Sequence, residues 1–145
     1  MVSVRIEAVL RKNAKLELMK RVPLFAKCSK RELTEIASLA DELDLEAGRT
    51  LTKQGARGQE FVVIADGAAE VVRNGKRVNS LGSGDFLGEI SLITQSPRTA
   101  TVKTTAPSRL LVINASDFRR LLRRTPSLQE KVLEALAERL PPEVG

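Results

Sequence analysis

The 145-residue sequence contains no histidine, no tryptophan and no tyrosine, and its single cysteine is Cys28. Histidine is the commonest general base and metal ligand, so its absence argues against most catalytic and metal sites. A lone cysteine without histidine also argues against zinc or haem ligation and cannot form an intrachain disulfide. We therefore expect no enzyme, no cofactor and no metal, and we interpret Cys28 as a buried or loop thiol, with a redox sensor as the alternative.

Long hydrophobic segments are also missing. The longest apolar run has five residues, 61–65, which is far too short to span a membrane. Residues 1–20 have no apolar core of the kind found in signal peptides. We therefore expect a cytoplasmic protein with no membrane span.

The positive charge is concentrated near the N-terminus. The net charge is +6, and residues 1–40 contain nine Lys or Arg against four Asp or Glu, whereas residues 41–114 contain nine of each. Such an excess is typical of a solvated helix face, with a docking surface for an acidic partner as the alternative. A nucleic-acid-binding protein is a further alternative, but few aromatic side chains and no DNA-reading motif are present, so we expect no nucleic-acid partner.

Helical patterns occupy the first 40 residues. Apolar residues recur every four positions at Ile6, Leu10, Ala14 and Leu18, which predicts a helix that ends at Pro23. Ser29 followed by Glu32 predicts a capping box that opens a second helix to about Ala40. The apolar face of the first helix is expected to pack on the rest of the chain or on a second copy of it.

Short strands follow from residue 42. Eight of the nine glycines lie between residues 48 and 88, and Asn74-Gly75 predicts a type I′ hairpin, with another tight turn at Asp66-Gly67. Many short strands separated by glycine turns indicate a jelly-roll β-barrel or sandwich. The predicted strands cover residues 49–53, 60–65, 68–73, 76–81, 99–104 and 109–114.

The helical pattern returns after Asn114. Phe118, Leu121 and Leu122 predict a short helix that ends near Pro126, and a leucine-rich stripe with Leu133 beside it predicts another helix up to Pro141. The predicted fold class is thus mainly β, a jelly roll flanked by N-terminal and C-terminal α-helices. We expect one domain over residues 1–145, with helices at about 4–40, the barrel at about 42–114 and helices at about 115–140.

Residues 86–102 carry the chemistry. Glycine at position 88 permits a close backbone approach, and the short turn after Glu89 can direct N–H groups at an anion. Pro97 precedes Arg98, whose guanidinium would be costly to bury inside a barrel without an anionic partner. The residues alone leave open whether Arg98 is exposed or binds a ligand.

Taken together, the Gly88-Glu89 pair, the apolar positions around Ser91 and the Pro97-Arg98-Thr99-Ala100 run closely resemble the phosphate-binding cassette of cyclic nucleotide-binding domains. Residues 61–64 followed by Gly67 are similar to a glycine-marked strand and turn of that family. Leu87 departs from the aromatic residue that often precedes the Gly-Glu pair. The resemblance covers roughly residues 18–140 and implies a sensor domain like that of catabolite activator proteins, without their DNA-binding domain.

The resemblance also implies roles for individual residues. Glu89 would accept a bond from the ribose 2′-hydroxyl, and Arg98 would bind the cyclic phosphate. Gly88, Ile90 and Ser91 would supply backbone or hydroxyl contacts, and Thr99 or Ala100 would complete the phosphate site.

We therefore expect a regulatory module that binds 3′,5′-cyclic AMP and acts on an effector that the sequence does not identify. A homodimer is an additional expectation. The alternatives are a sensor that prefers cyclic GMP, to which Thr99 could contribute a hydroxyl, and a scaffold of the same fold that binds no nucleotide. The helix at about residues 127–140 is expected to close over the base as a lid.

Overall fold

A computed structural model describes residues 14–139 of the chain, apart from the side chain of Arg139. Two groups of helices flank eight strands. Along the chain lie a helix that includes residues 14–20 (α1), a 3-10 turn at Pro23–Phe25, α2 (Lys30–Leu39), β1 (Asp41–Leu45), β2 (Thr50–Thr52), β3 (Glu60–Asp66), β4 (Ala68–Arg73), β5 (Lys76–Gly82), β6 (Phe86–Leu87), α3 (Glu89–Thr94), β7 (Thr101–Thr104), β8 (Ser108–Asn114), α4 (Ala115–Arg124) and α5 (Pro126–Arg139).

The strands form two antiparallel four-stranded sheets. The first has the order β1-β8-β3-β6 and the second the order β2-β7-β4-β5. Strands that are consecutive in sequence often lie in different sheets, as at Gly67, where the chain leaves β3 and enters β4. This arrangement is a jelly-roll sandwich, as the sequence predicted.

Strand β3 is buried on both of its faces. Val62 and Ile64 pack between the two sheets, whereas the alternate residues Phe61 and Val63 pack against the helices. The period of two along a strand puts these pairs on opposite faces. The run of apolar residues at 61–64 therefore serves two cores at once.

The helices form a layer over the outer face of the first sheet. The ring of Phe118 in α4 stacks on that of Phe61, with centroids 4.2 Å apart. Leu18 and Met19 of α1 are buried, as are Leu128 and Val132 of α5. Between residues 14 and 139, no helix is both long enough and apolar enough to cross a membrane.

The local sequence signals were confirmed. Glu32 N donates to Ser29 Oγ at 3.1 Å and Ser29 N donates to Glu32 Oε1 at 2.8 Å, which completes the capping box of α2. Asn74 and Gly75, with φ of 54° and 78°, form the tight turn of the β4–β5 hairpin. Positive φ at both central positions is what a type I′ turn requires.

The structure differs from the sequence analysis at several other places. The strand predicted at residues 99–104 begins only at Thr101, because residues 98–100 bond to surrounding segments instead of continuing the ladder. Strands β1 and β6 were not predicted, since β1 is largely exposed and β6 has two residues. Leu133 lies outside the apolar stripe of α5 and is 62% exposed.

Some predicted positions lie outside the described residues. These are Ile6 and Leu10 of the N-terminal helix and the predicted end of the last helix at Leu140 and Pro141.

Lys15 links the first two helices. Its ammonium donates to Ala37 O at 3.0 Å and to Ala40 O at 2.7 Å, at the C-terminal end of α2, where the last carbonyls of a helix lack helical partners.

We expect Lys15→Met, which keeps the apolar stem, to lower the free energy of unfolding by about 1 kcal/mol in urea titrations. Lys20→Met is the control, since Lys20 is exposed and, among residues 14–139, its ammonium pairs only with Glu17 of its own helix. Equal losses in the two variants would contradict this assignment.

Candidate functional site

A cavity of about 260 Å³ lies between the second sheet and the segment formed by β6, α3 and residues 95–100. Its walls combine apolar strand residues with several charged and polar groups, as is usual for small-molecule sites. The lining residues are Thr52, Val71, Arg73, Val78, Asn79, Leu81, Leu87, Gly88, Glu89, Ile90, Ser91, Arg98, Thr99, Ala100, Val102 and Glu138.

Gly88 shapes the entry to α3. Its φ of 101° is in the left-handed region, and a Cβ atom there would lie 2.6 Å from Arg98 Nη1 and 2.7 Å from Glu60 O. Both backbone conformation and space therefore require glycine. The tight turn places the carboxylate of Glu89, which is only 1% exposed, at the first position of α3 and on the cavity wall.

Arg98 is buried and held by the protein. Its side chain is 8% exposed, and Nη1 donates to Gly88 O at 3.1 Å and to Ser91 Oγ at 2.9 Å, while Nη2 donates to Glu60 O at 2.5 Å. A guanidinium has five N–H groups, so three are used in these bonds. The acceptors fix the orientation of the group and leave Nε–H and one Nη2–H without an acceptor among residues 14–139.

The charge of Arg98 is only partly compensated by its surroundings. Burial lowers the pKa of Arg98 below its usual value, whereas the nearby carboxylates of Glu60 and Glu89 act in the opposite direction. An arginine nevertheless stays protonated in proteins, so the site holds a permanent positive charge that is largely shielded from water. Such a charge attracts an anion that enters the cavity.

The backbone at residues 98–100 is fixed at three successive carbonyls. Arg98 O accepts from Gly55 N at 2.9 Å, Thr99 O from Arg73 Nε at 3.1 Å and Ala100 O from Thr52 Oγ1 at 3.0 Å. Each donor belongs to a different segment of the chain. The segment after Arg98 is thus held in place although it is not part of a strand.

All seven residues that the sequence singled out line this one cavity, namely Gly88, Glu89, Ile90, Ser91, Arg98, Thr99 and Ala100. Arg73, Asn79 and Glu138 also line it, and the sequence analysis missed them. Arg73 and Asn79 flank the Asn74-Gly75 turn, so a predicted hairpin in the second sheet was the signal that could have suggested them. Nothing in the sequence marks Glu138 among the exposed residues of α5.

Cys28 lies elsewhere, in the helical layer. Burial raises the pKa of the Cys28 thiol, and the negative charge of Glu32 raises it further. The contact between Cys28 Sγ and Ser127 Oγ at 3.6 Å lowers the pKa, but by less than burial raises it. A raised pKa keeps the thiol protonated at neutral pH and lowers its reactivity. This favours the interpretation of an inert thiol over that of a redox sensor.

The sequence profile described as cyclic nucleotide-binding domain matches residues 42–125. That match covers more than half of the chain and includes β1 to α4, with the cavity residues except Glu138. The chain therefore belongs to the cyclic nucleotide-binding domain family.

Similar proteins include the cAMP-dependent protein kinase regulatory subunit of Schizosaccharomyces pombe, which is 37% identical over 106 residues. The match covers 72% of this chain but 26% of that protein. The chain thus spans about a quarter of the length of this curated relative.

Two solved structures share the fold. The Thermus thermophilus catabolite activator protein is 27% identical with a TM-score of 0.72, and the match covers 81% of this chain and 57% of that one. The regulatory subunit of a cAMP-independent protein kinase A from Trypanosoma brucei has a TM-score of 0.81 at 19% identity, over 90% of this chain and 47% of that one. At that identity the second likeness concerns the fold alone.

Proposed function

We propose that this chain binds 3′,5′-cyclic AMP in the cavity beside α3 and acts as a regulatory module without catalytic activity of its own. The observation that carries the proposal is that Glu89 and Arg98, both buried, line the same cavity. A buried cation and a buried carboxylate on one wall suit a ligand that has an anionic group next to hydroxyl groups. A cyclic nucleotide has both features.

The phosphate is assigned to Arg98. Its three bonds to Gly88, Ser91 and Glu60 orient the guanidinium, so the remaining N–H groups can meet an anion with little loss of side-chain entropy. Thr99 and Ala100 also line the cavity, and both are held by bonds to their carbonyl oxygens, so we assign them to the remainder of the phosphate site. Ser91 acts indirectly, because its hydroxyl accepts a bond from Arg98 and so helps to orient the guanidinium.

The ribose is assigned to Glu89. A carboxylate is acceptor-only and can take a bond from a 2′-hydroxyl, while Gly88 and Ile90 on either side also line the cavity. Adenine and guanine differ in their donors and acceptors, and Asn79, Arg73 and Glu138 are polar lining groups that could bind either base. We assign adenine, in line with the cAMP dependence named for the yeast relative.

A preference for cyclic GMP is the second candidate. Thr99 lines the cavity directly after Arg98 in the chain, and its hydroxyl could bond the guanine amino group of a ligand in the syn conformation, while Arg73 could donate to guanine O6 and N7. Competition between cyclic AMP and cyclic GMP in isothermal titration separates the two candidates. The absence of binding by either nucleotide would leave the interpretation of a scaffold with the same fold.

We expect Arg98→Ala to raise the Kd for cyclic AMP about ten- to a hundredfold, because a charge-assisted bond to phosphate contributes about 1.5–3 kcal/mol. The Kd of Arg98→Lys should lie between those of the wild type and Arg98→Ala, since an ammonium keeps the charge but lacks the planar set of donors of a guanidinium. Isothermal titration measures both. Arg109→Ala is the control, because Arg109 of β8 is exposed, does not line the cavity and pairs with Asp44 of the neighbouring strand β1 in the first sheet. An unchanged Kd for both Arg98 variants would remove this residue from the site.

Glu89→Gln should weaken binding less than Arg98→Ala does, because the amide oxygen still accepts a bond. The wild type should bind 2′-deoxy cyclic AMP about ten- to a hundredfold more weakly than cyclic AMP, since a hydrogen bond to a charged group contributes about 1.5–3 kcal/mol. In the variant the two ligands should differ less. If the variant discriminated between them as strongly as the wild type, Glu89 would not contact the 2′-hydroxyl.

Binding should also order the end of α5. Leu128 and Val132 are each 1% exposed and belong to the core, whereas Glu138 lies on the cavity wall. We therefore expect ligand to slow amide exchange in residues 134–139, with little change at residues 128–132, because only the last turns can close on the base. Exchange followed by mass spectrometry measures this, with α2 as the internal control. Ligand-independent exchange in residues 134–139 would mean that α5 covers the core without acting as a lid.

A further inference from the structure

The loop at residues 53–59, between β2 and β3, is hydrogen-bonded to the backbone of Arg98. Gly55 N donates to Arg98 O at 2.9 Å, and Arg98 N donates to Ala56 O at 2.8 Å. Both backbone polar groups of Arg98 are therefore bonded to this loop. The strand that follows the loop supplies Glu60 O, which accepts from the guanidinium of Arg98.

Gly58 of this loop lies against the side chains of Ser91 and Arg98. A Cβ atom at this position would overlap Ser91 Oγ, and it would lie 3.1 Å from Ser91 Cβ and 3.2 Å from Arg98 Cζ. The φ of Gly58 is not in the left-handed region, unlike that of Gly88. Space, and not backbone conformation, is what requires glycine at position 58.

The atoms that a Cβ would displace are those that orient the guanidinium. Ser91 Oγ accepts from Arg98 Nη1 at 2.9 Å, so moving the hydroxyl breaks or lengthens one of the three bonds that hold Arg98. Charge-assisted bonds from a guanidinium depend strongly on geometry. A shift of Ser91 by a few tenths of an ångström therefore changes a bond that orients the guanidinium of Arg98, which lines the cavity.

We infer that Gly58 is a positioning residue for anion recognition: its missing side chain leaves the space in which Ser91 and Arg98 are aligned. The inference rests on the proposed function for the identity of the anion, but the alignment itself is a property of the protein alone. Gly58 need not touch the ligand, and it is not among the residues that line the cavity.

The first experiment compares Gly58→Ala with Gly82→Ala. Gly82 lies at the end of β5, its φ is not in the left-handed region, and a Cβ atom there would meet nothing within 4 Å. The two changes thus alter the unfolded chain alike and differ in the contacts they make in the folded protein. We expect Gly58→Ala to raise the Kd for cyclic AMP about tenfold, because an oriented charge-assisted bond is lost. Gly82→Ala should stay within about twofold of wild type, a difference no larger than usual for a substitution without contacts.

A second experiment tests the route through Ser91. Removing the hydroxyl in Ser91→Ala removes the atom that the new Cβ would overlap. Measured in that background, Gly58→Ala should therefore cost about threefold or less in Kd, since residues in contact give non-additive effects. An equal loss in both backgrounds would show that Gly58 acts on binding by another route and would overturn the inference.

A measurement without ligand separates this inference from the proposed function. The Nε–H resonance of Arg98, assigned through its loss in Arg98→Lys, should shift in Gly58→Ala and stay in place in Gly82→Ala. If wild type binds neither cyclic AMP nor cyclic GMP, the proposed function fails while a shifted resonance still supports the positioning role. An unmoved resonance together with an unchanged Kd overturns the positioning role and leaves the proposed function intact.

Gly58→Ala could fold poorly, and the wild-type protein then provides the test. If the loop fixes Arg98, the amides of Arg98 and Gly55 should show similar protection from hydrogen exchange, because both are bonded between the same two segments. Rapid exchange of these two amides in the folded wild type would overturn the inference.

Discussion

The burial of one positive charge sets the strictest condition on this structure. A guanidinium removed from water costs several kcal/mol unless its donors are bonded, so Arg98 requires acceptors at fixed positions. Those acceptors come from β3, from the turn before α3 and from α3 itself. Strand β3, residues 88–91 and the segment that carries Arg98 must therefore meet at one point. Glycine at positions 58 and 88 is what lets them approach so closely.

Strand β3 connects this point to the rest of the molecule. It begins at Glu60, whose carbonyl binds Arg98, and its next residues alternate between the core of the sandwich and the helical layer. The helical layer is tied to α3 as well, because Arg119 Nε in α4 donates to Leu92 O at 3.1 Å. The cavity wall and the C-terminal helices thus share a strand and a hydrogen bond. A displacement of α3 on ligand binding would have a direct mechanical path to α4, and through its helical contacts to α5.

The sequence predicted the parts of this structure that depend on local interactions. The capping box at Ser29, the turn at Asn74-Gly75 and the cassette around Glu89 are each encoded within a few neighbouring residues. Strand β1 could not be predicted in this way, because it is polar and exposed and exists only through its pairing with β8. The same holds for the loop at residues 53–59, whose role depends on contacts with Arg98 some forty positions later. Long-range pairing, and not composition, determines these elements.

The fold of this family does not by itself determine which ligand a member binds, so the ligand has to be argued from the residues of the site. Our proposal of nucleotide binding rests on the placement of two opposite charges, Glu89 and Arg98, which are buried and line one cavity. Apolar residues of similar size often stabilise a fold as well as buried charges do, so folding alone gives little reason for either group. A protein that had lost its ligand would have little physical reason to keep both groups buried. The proposed recognition of an anionic, hydroxyl-bearing ligand would give both groups on the cavity wall a role that folding alone does not supply.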